Sequence, residues 1–416
     1  MFLTVKSIGR KGIFLLFCFL TGLPSKGQKE ALRFQHYTAD DGLSQNMIDC
    51  ILKDSKGYMW FGTWNGLNRF DGYSFAVYRQ NQRNKDGIIN NFIYALAEDC
   101  FGNIWVGTGA GLTVYIYKKD RFRTPDNKII AKSHFLTRRT NSVIIDHNGW
   151  LWTGTDRGVD VFKIEDEYGN LNKISLSDNR NQGIMEGYNI TSIFEDTNYN
   201  IWIGTTDGVF RYNRKTHDIR RYGFIPSRPA SLSNNNVNCI FQDHKGNVWI
   251  GTTVGLNRMT DSAGLFVRYY HINSNPNSLV HNTVMSITED VKGNLIIGTL
   301  GGLSIYQEKS DDFRNQLYQL NTSYGLNNEF VNCLLADEAG NVWVGTERGG
   351  VNKYNIFQKG FEFLEHEPGN PGSLSHKIVN SIWEDDKNLW IGTAGGGLNC
   401  YEKKNGCNKS FPLFTR

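Results

Sequence analysis

The chain has 416 residues, a formal net charge of +4 and 21% charged side chains. A charge this small excludes a protein that binds nucleic acid or another polyanion through bulk electrostatics. A chain of this length ordinarily predicts two or three domains, but the internal repeats found here lower that number, because repeating units share a core with their neighbours.

The first residues predict an export signal. Three basic residues precede a short apolar run over residues 12–23, which is too short to span a bilayer. Small and polar residues follow it, so we interpret residues 1–27 as a signal peptide that is cleaved near Gly27. No later run approaches the roughly 20 apolar residues of a membrane span. The mature chain is therefore predicted to be periplasmic or secreted and to lack a membrane span.

The next segment predicts a short strand and a loop. Residues 32–38 carry Leu32, Phe34 and Tyr37 among polar side chains, and the phrase Gly42-Leu43-Ser44-x-Asn46 follows them. The same pattern returns at residues 266–279, where it ends a repeating unit. Residues 32–38 therefore match the last strand of a unit whose first three strands do not precede it.

From Trp60 onward the phrase Trp-x-Gly-Thr recurs with a period of about 47 residues. The tryptophans are Trp60, Trp105, Trp152, Trp202, Trp249, Trp343 and Trp390, and Ile296 takes the remaining place. A period of this size, with a tryptophan and paired turns, is typical of a β-propeller blade. The eight copies therefore predict an all-β fold, a β-propeller of four-stranded blades.

Two further positions in each copy have a structural interpretation. A turn that begins with an aspartate, in most copies Asp-x-x-Gly, precedes each tryptophan, and because the aspartate recurs, we interpret it as a turn-builder and not a catalytic acid. Ten residues before the tryptophan stands a Cys, Ala or Ser, as at Cys50, Cys239 and Cys333. A position that accepts all three types needs small volume, which favours a crowded inner strand over a disulfide.

The number of blades in the ring is open at the level of sequence. In one interpretation, residues 31–357 form a seven-bladed propeller and residues 358–416 form the first blade of a truncated second propeller. In the other, all eight copies form a single eight-bladed ring. In either case the strand at residues 32–38 would complete the last blade and leave the ring without a free edge.

Three phrases resemble the two-component regulator propeller repeats. They are Gly42-Leu43-Ser44-x-Asn46, Asp-x-x-Gly-x-x-Trp-x-Gly-Thr, and the run from Gly66 to Phe75. These repeats form the periplasmic sensor region of hybrid two-component systems in Bacteroidetes. The resemblance implies two seven-bladed propellers ahead of a membrane span, a histidine kinase, a receiver and a DNA-binding module. It also implies sensing of glycan-derived oligosaccharides that controls genes for polysaccharide use.

This sequence carries no kinase, receiver or DNA-binding region, so we expect a truncated or partial sensor. The chain itself is predicted to bind no nucleic acid. A homodimer through the missing C-terminal parts is possible within the family plan. No catalytic residue, metal or cofactor is predicted, since the histidines lack the spacing of metal ligands.

The candidate ligand-binding residues lie between Gly-Thr and the next Gly-Leu or Gly-Val. A scaffold position repeats, whereas a recognition site must differ from blade to blade, and these turn residues vary. The candidates are Trp64, Asn65, Asp156, Arg157, Asp207, Glu347 and Arg348. Trp64 is suited to stacking on a sugar ring, and the others to hydrogen bonding with hydroxyls. The basic residues from Lys118 to Arg139 are a second candidate, for acidic glycans.

The leading hypothesis is a non-catalytic periplasmic sensor that binds an oligosaccharide. A propeller enzyme acting on polysaccharide, as a lyase or hydrolase, is the first alternative, and it requires acids, bases or metal ligands that converge on the axis. A protein-interaction platform is the second.

Overall fold

The computed structural model describes residues 32–81, 87–126, 137–174, 185–260, 264–318, 324–358, 364–404 and 407–411. The predicted signal peptide lies outside these residues. The described part contains eight four-stranded antiparallel sheets and two short 3-10 helices, Ala39–Asp41 and Tyr117–Lys119. The chain divides into two compact units, residues 1–357 with seven of the sheets and residues 358–416 with the eighth.

Each sheet consists of an inner strand, two middle strands and an outer strand. The inner strands are β2 (Ile48–Lys53), β6 (Ile93–Glu98), β10 (Thr140–Ile145), β14 (Ile190–Glu195), β18 (Val237–Gln242), β22 (Val284–Glu289), β26 (Val331–Ala336) and β29 (Val379–Glu384). The second strands, which carry Trp-x-Gly-Thr, are β3 (Met59–Thr63), β7 (Ile104–Thr108), β11 (Trp150–Thr155), β15 (Ile201–Thr205), β19 (Val248–Thr252), β23 (Leu295–Thr299), β27 (Asn341–Thr346) and β30 (Asn388–Thr393).

The remaining strands complete the sheets. The third strands are β4 (Gly66–Phe70), β8 (Gly111–Ile116), β12 (Val159–Ile164), β16 (Gly208–Tyr212), β20 (Gly255–Met259), β24 (Gly302–Gln307), β28 (Val351–Asn355) and β31 (Gly397–Glu402). The outer strands are β5 (Phe75–Tyr78), β9 (Arg121–Arg123), β13 (Leu171–Ile174), β17 (Ile219–Tyr222), β21 (Phe266–Tyr269), β25 (Asp312–Gln316), β1 (Gln35–Tyr37) and β32 (Cys407–Phe411). We number the sheets 1 to 8 in the order of their inner strands.

In the first unit the inner strands contact one another in a closed cycle. Each packs beside the next from β2 to β26, and β26 contacts β2 again. The strand order of sheet 7 is β1-β28-β27-β26, so the N-terminal strand supplies its outer strand. Gln35 pairs with Lys353 and Tyr37 with Val351, both antiparallel. The strand predicted at residues 32–38 therefore exists and completes the last sheet of the cycle.

The repeated aspartate and tryptophan form one structural unit. In sheet 1, Asp54 Oδ1 accepts the backbone N–H of Tyr58 at 2.8 Å, and Asp54 Oδ2 accepts the indole N–H of Trp60 at 2.8 Å. The same indole bond joins Asp146 to Trp152 at 2.6 Å. Every repeat tryptophan donates to the aspartate of its own turn. The interpretation of these aspartates as turn-builders is therefore confirmed, and each also neutralises the polar edge of a buried ring.

The small position of the inner strand faces the glycine of Trp-x-Gly-Thr. Cys50 pairs in register with Gly62, and a Cβ placed on Gly62 would lie 2.4 Å from the Cys50 sulfur. The thiols of Cys50, Cys239 and Cys333 are free. Burial raises the pKa of Cys239 to about 12. The prediction of a crowded inner strand without a disulfide is confirmed for these three residues.

Sheet 8 exposes side chains that the other sheets bury. Ile382 and Trp383 of β29 are 63% and 64% exposed, whereas Ile193 and Ile240, which hold the place of Ile382 in sheets 4 and 5, are 6% and 8% exposed. Strand β29 of this unit thus presents an exposed apolar patch.

Candidate ligand-binding site

The predicted site residues lie at the end of the first unit where the inner strands begin, which we call the entry face. Ile48, the first residue of β2, pairs with Thr63, the last residue of β3, so the turn after Thr63 lies beside the loop that enters β2. Thr63 shapes this turn, because its hydroxyl donates to the Gly66 carbonyl at 2.8 Å and accepts the Asn65 N–H at 3.0 Å. The turns after Thr155, Thr205 and Thr346 form the same threonine bonds.

Trp64 belongs to a cluster that the sequence did not reveal. Its indole N–H donates to Asp49 Oδ2 at 2.6 Å, and its ring meets Phe92 edge to face, with 5.8 Å between centroids. The Trp64 and Phe92 side chains are each 43% exposed. The Arg139 guanidinium lies over the Tyr94 ring, 4.3 Å from its centroid.

Burial and charge both act on the carboxyl of Asp49. Burial raises the pKa of Asp49 to about 6, while the Trp64 hydrogen bond and the Arg139 charge lower the pKa and the Glu347 charge raises it. Arg139 and Glu347 are therefore close enough to influence Asp49. We call Asp49, Trp64, Phe92, Tyr94, Arg139 and Glu347 the Asp49 cluster.

The other predicted residues are distributed around the entry face. The Asp207 carboxylate binds the Arg221 guanidinium of outer strand β17 at 2.5 Å and accepts from the Asn235 amide, in the loop that enters β18, at 3.3 Å. Asp156 is half-buried, and its Oδ1 is buried without a hydrogen-bond partner in the described part of the chain. The side chains of Asn65, Arg157 and Arg348 are exposed. The structure thus joins Trp64 to Asp49 by a hydrogen bond, lets the Glu347 charge act on Asp49 and pairs Asp207 with a residue of its own sheet.

Asp49 and Tyr94 were not selected by the sequence analysis, although the sequence contains a pattern that identifies them. Asp49 and Tyr94 occupy the second position of their inner strands, and this position holds Asp, Tyr, Asn, Thr, Asn, Met and Asn in sheets 1 to 7. Variation inside a fixed phrase, the rule that selected Trp64, also selects this position. The second candidate, the basic run, divides: Arg139 is in the cluster, whereas Lys128 and Lys132 lie outside the described residues.

A second concavity lies at the opposite end of sheets 5 and 6, with a volume of about 500 Å³. Its charged groups largely pair with one another. His244 Nδ1 lies 2.5 Å from Glu289, Lys245 pairs with Glu308, and Arg258 donates to the Tyr306 hydroxyl at 2.9 Å. The polar side chains that line this concavity are therefore already bonded to each other, which leaves fewer of them to bind a ligand. The entry face is the better candidate for a ligand-binding site.

Replacing Asp49 with asparagine is expected to stabilise the fold increasingly as the pH rises. Since the pKa of Asp49 is raised from 3.8 to about 6, the native state keeps its proton longer than the unfolded state. Wild-type stability therefore falls as the pH rises from about 4 to about 6 and then stays level. A shift of this size corresponds to at most about 3 kcal/mol, and to about 1–2 kcal/mol after allowance for solvent.

The check is urea unfolding of both proteins between pH 4.5 and pH 7.5. The difference in the free energy of unfolding should grow in favour of the variant from pH 4.5 to about pH 6 and stay level above that value. A difference that stays constant with pH would contradict a raised pKa at Asp49.

The fold is an all-β propeller, and the polar and aromatic side chains of the Asp49 cluster lie on its entry face. Five stretches match the family model described as two component regulator propeller, at residues 42–65, 87–110, 184–207, 231–253 and 325–348. These five stretches are therefore similar to the repeats that the family model describes.

Similar proteins extend this comparison. A histidine kinase, P4, of Formosa agariphila is 43% identical over 72 residues, which are 17% of this chain and 5% of the kinase. The crystal structure of the extracellular domain of a hybrid two component system from B. thetaiotaomicron is 25% identical, with a TM-score of 0.68 over 92% of this chain and 50% of that one. That of a second system from the same organism is 22% identical, with a TM-score of 0.62 over 92% of this chain and 48% of that one.

This chain thus spans about half the length of those structures. Virginiamycin B lyase from Staphylococcus aureus is 14% identical, with a TM-score of 0.56 over 78% of this chain and 99% of the lyase, and shares the fold alone. Among the described residues, no helix is long and apolar enough to cross a membrane, and no group of three or more His, Cys, Asp or Glu side chains is placed to hold a metal.

Proposed function

We propose that this chain is a non-catalytic, ligand-binding sensor module of a hybrid two-component system, and that it recognises a glycan-derived oligosaccharide in the periplasm. Residues 1–27 direct export. Residues 31–357 form a seven-bladed ring, and residues 358–416 form the first blade of a second propeller. Ligand binding controls genes for polysaccharide use through a kinase region that this sequence does not contain.

The observation that carries the proposal is the Asp49 cluster on the entry face. An exposed tryptophan whose indole is fixed by a carboxylate is a rigid platform for the apolar face of a sugar ring. The Asp49 carboxylate at its edge, on which the Arg139 and Glu347 charges act, suits the hydroxyls around such a ring. The similarity to extracellular domains of hybrid two component systems supports the role of a sensor.

The closed cycle of inner strands supports the seven-bladed ring. The N-terminal strand β1 completes sheet 7, and β26 of that sheet contacts β2 of sheet 1. The exposed apolar residues of sheet 8 support its place in a further propeller, because the corresponding residues of sheets 1 to 7 are buried or half-buried.

Isothermal titration of the purified chain against a panel of oligosaccharides tests the function. The expected result is saturable binding of one glycan class, with the oligosaccharide recovered intact by chromatography. Recovery of shortened or unsaturated products would support a propeller enzyme instead. Absence of binding to every glycan in the panel would leave the protein-interaction platform as the better description.

Replacing Trp64 with alanine is expected to weaken the affinity for the bound oligosaccharide about 10-fold, which is about 1.4 kcal/mol. The physical reason is the loss of the stacking surface. Trp64→Phe keeps a ring but loses the bond to Asp49, so it should retain part of the affinity. Tyr73→Ala is the matched control, since Tyr73 is 96% exposed on the hairpin that joins β4 to β5 and should not affect binding. Equal affinities for wild type and Trp64→Ala would remove Trp64 from the site.

A further inference from the structure

Side chains at the second position of the inner strands tie neighbouring sheets together around the ring axis. Asn141 Nδ2 donates to the Ile190 carbonyl at 2.8 Å, and Asn238 Nδ2 donates to the Val284 carbonyl at 2.8 Å. Thr191 and Asn332 make the same bond, to the Val237 carbonyl at 2.6 Å and the Ile48 carbonyl at 3.3 Å. In each case the acceptor is the first residue of the next inner strand. These bonds join sheets 3 to 4, 4 to 5, 5 to 6, and 7 to 1.

The series is interrupted after sheets 1, 2 and 6, where the position holds Asp49, Tyr94 and Met285. An ionised carboxylate and a thioether have no hydrogen to donate. The Tyr94 ring is covered by Arg139, and in the described part of the chain its hydroxyl makes no bond to sheet 3. The interruptions at Asp49 and Tyr94 follow one another around the cycle of sheets, and both residues belong to the Asp49 cluster.

A carboxylate at Asp49, in place of the asparagine found in other sheets, lowers the stability of the unliganded protein. Asp49 is half-buried, and burial is the main cause of its raised pKa. Asparagine would relieve this cost, and it occupies the same position in sheets 3, 5 and 7. A buried carboxylate in place of a structural amide is typical of a functional position.

We propose, on the basis of the function proposed above, that the sugar unit at Trp64 is uncharged, and that its hydroxyls join sheet 1 to sheets 2 and 3 where the protein lacks its own bonds. One hydroxyl donates to Asp49, and a neighbouring oxygen accepts from Arg139. A uronic-acid or sulfated unit is disfavoured here, because Asp49 and Glu347 both repel an anion. Asp49 is then a specificity-determining residue, and the ligand completes the series of bonds around the axis.

This arrangement couples binding to pH. The groups that act on Asp49 from the neighbouring elements are the Trp64 indole, the Arg139 guanidinium and the Glu347 carboxylate, and the Cys50 thiol adjoins it in β2. Ligand hydroxyls donate to the ionised carboxylate. Affinity for an uncharged ligand should therefore fall as the pH decreases below about 6, and it should level off above that value.

The test compares wild type, Asp49→Asn and Asn238→Asp. Asp49→Asn places a donor beside the Ile93 carbonyl, and Asn238→Asp removes a donor between sheets 5 and 6, outside the cluster. Binding is measured by calorimetry at pH 5, 6 and 7.5. The probes are hexasaccharides of glucose, mannose, xylose and fructose and, as the charged set, oligogalacturonides. Hydrogen exchange of β6 and β10 is followed with and without sugar.

We expect wild type to bind an uncharged probe, with slower exchange in β6 and β10 once sugar is bound. Asp49→Asn should bind it at least about 10-fold more weakly, without the pH dependence, and should show slower exchange in β6 before sugar is added. Asn238→Asp should unfold at a lower temperature and bind as wild type does. Equal binding by Asp49→Asn and wild type, or preference for oligogalacturonides, would overturn this inference and leave the sensor function standing. A wild-type chain that binds no probe of either set would overturn both.

Discussion

A chain that begins at Ala39 is expected to lose the stable fold of its first unit, whereas a chain that begins at Leu32 is expected to keep it. The shorter chain lacks β1, the outer strand of sheet 7, and leaves β28 with a free edge. It also lacks Phe34, which is buried against Tyr354 with 5.2 Å between ring centroids. Tyr37, which packs on Phe70 and Trp343, is lost as well.

Removing a single buried aromatic side chain from a core costs about 3–5 kcal/mol, so the combined loss is of the order of the whole stability of a typical domain. Thermal unfolding and size-exclusion chromatography measure the effect. The expected result for the shorter chain is a strongly lowered transition temperature together with aggregation. Since the two chains differ only in residues 32–38, equal transition temperatures would mean that β1 does not close the ring.

The second large effect is expected from Asp146→Ala. Asp146 has the bonds common to the repeat, to the Trp150 N–H at 3.0 Å and the Trp152 indole at 2.6 Å. It also binds the Arg214 guanidinium at 2.9 Å, and the two side chains are 0% and 11% exposed. Its removal leaves a nearly buried cation whose remaining carboxylate contact is the longer one to Glu195, at 3.4 Å. Breaking a buried pair in this way costs about 3–5 kcal/mol.

Asp243→Ala is the matched control, because Asp243 makes the same turn and indole bonds, and no ion pair is found for it in the described part of the chain. Its expected cost is about 1–3 kcal/mol. Urea unfolding of both variants gives the difference. The double variant Asp146→Ala/Arg214→Met should recover part of the loss, since it removes the unpaired charge. A double variant less stable than Asp146→Ala alone would contradict this account.

The parts of the molecule that repeat could be predicted from the sequence. Trp60 with Asp54, and Cys50 with Gly62, recur at fixed separations within each copy, so one local pattern repeated eight times defines the sheet. The closing role of residues 32–38 also followed, because that strand has the pattern of a fourth strand with no unit before it.

The candidate site was only partly predictable. Trp64 and Glu347 could be selected by their variation, but their convergence on Asp49 depends on which sheets are neighbours across the closure of the ring. Asp207 has the same kind of turn position, yet it pairs with Arg221, fourteen residues later in the same sheet. Such side-chain pairs depend on strand register and direction, which the repeat pattern does not specify.

The pairing of β1 with β28 has a consequence for biogenesis. Gln35 and Lys353 are partners at opposite ends of the first unit, so its final contact has almost the largest sequence separation available to it. Contacts of this range form slowly, because the entropy of closing a long loop must be overcome first. During synthesis, which begins at the N-terminus, this strand would stay unpaired until the seventh sheet had followed. A factor that shields this single extended strand until then would raise the yield of folded protein.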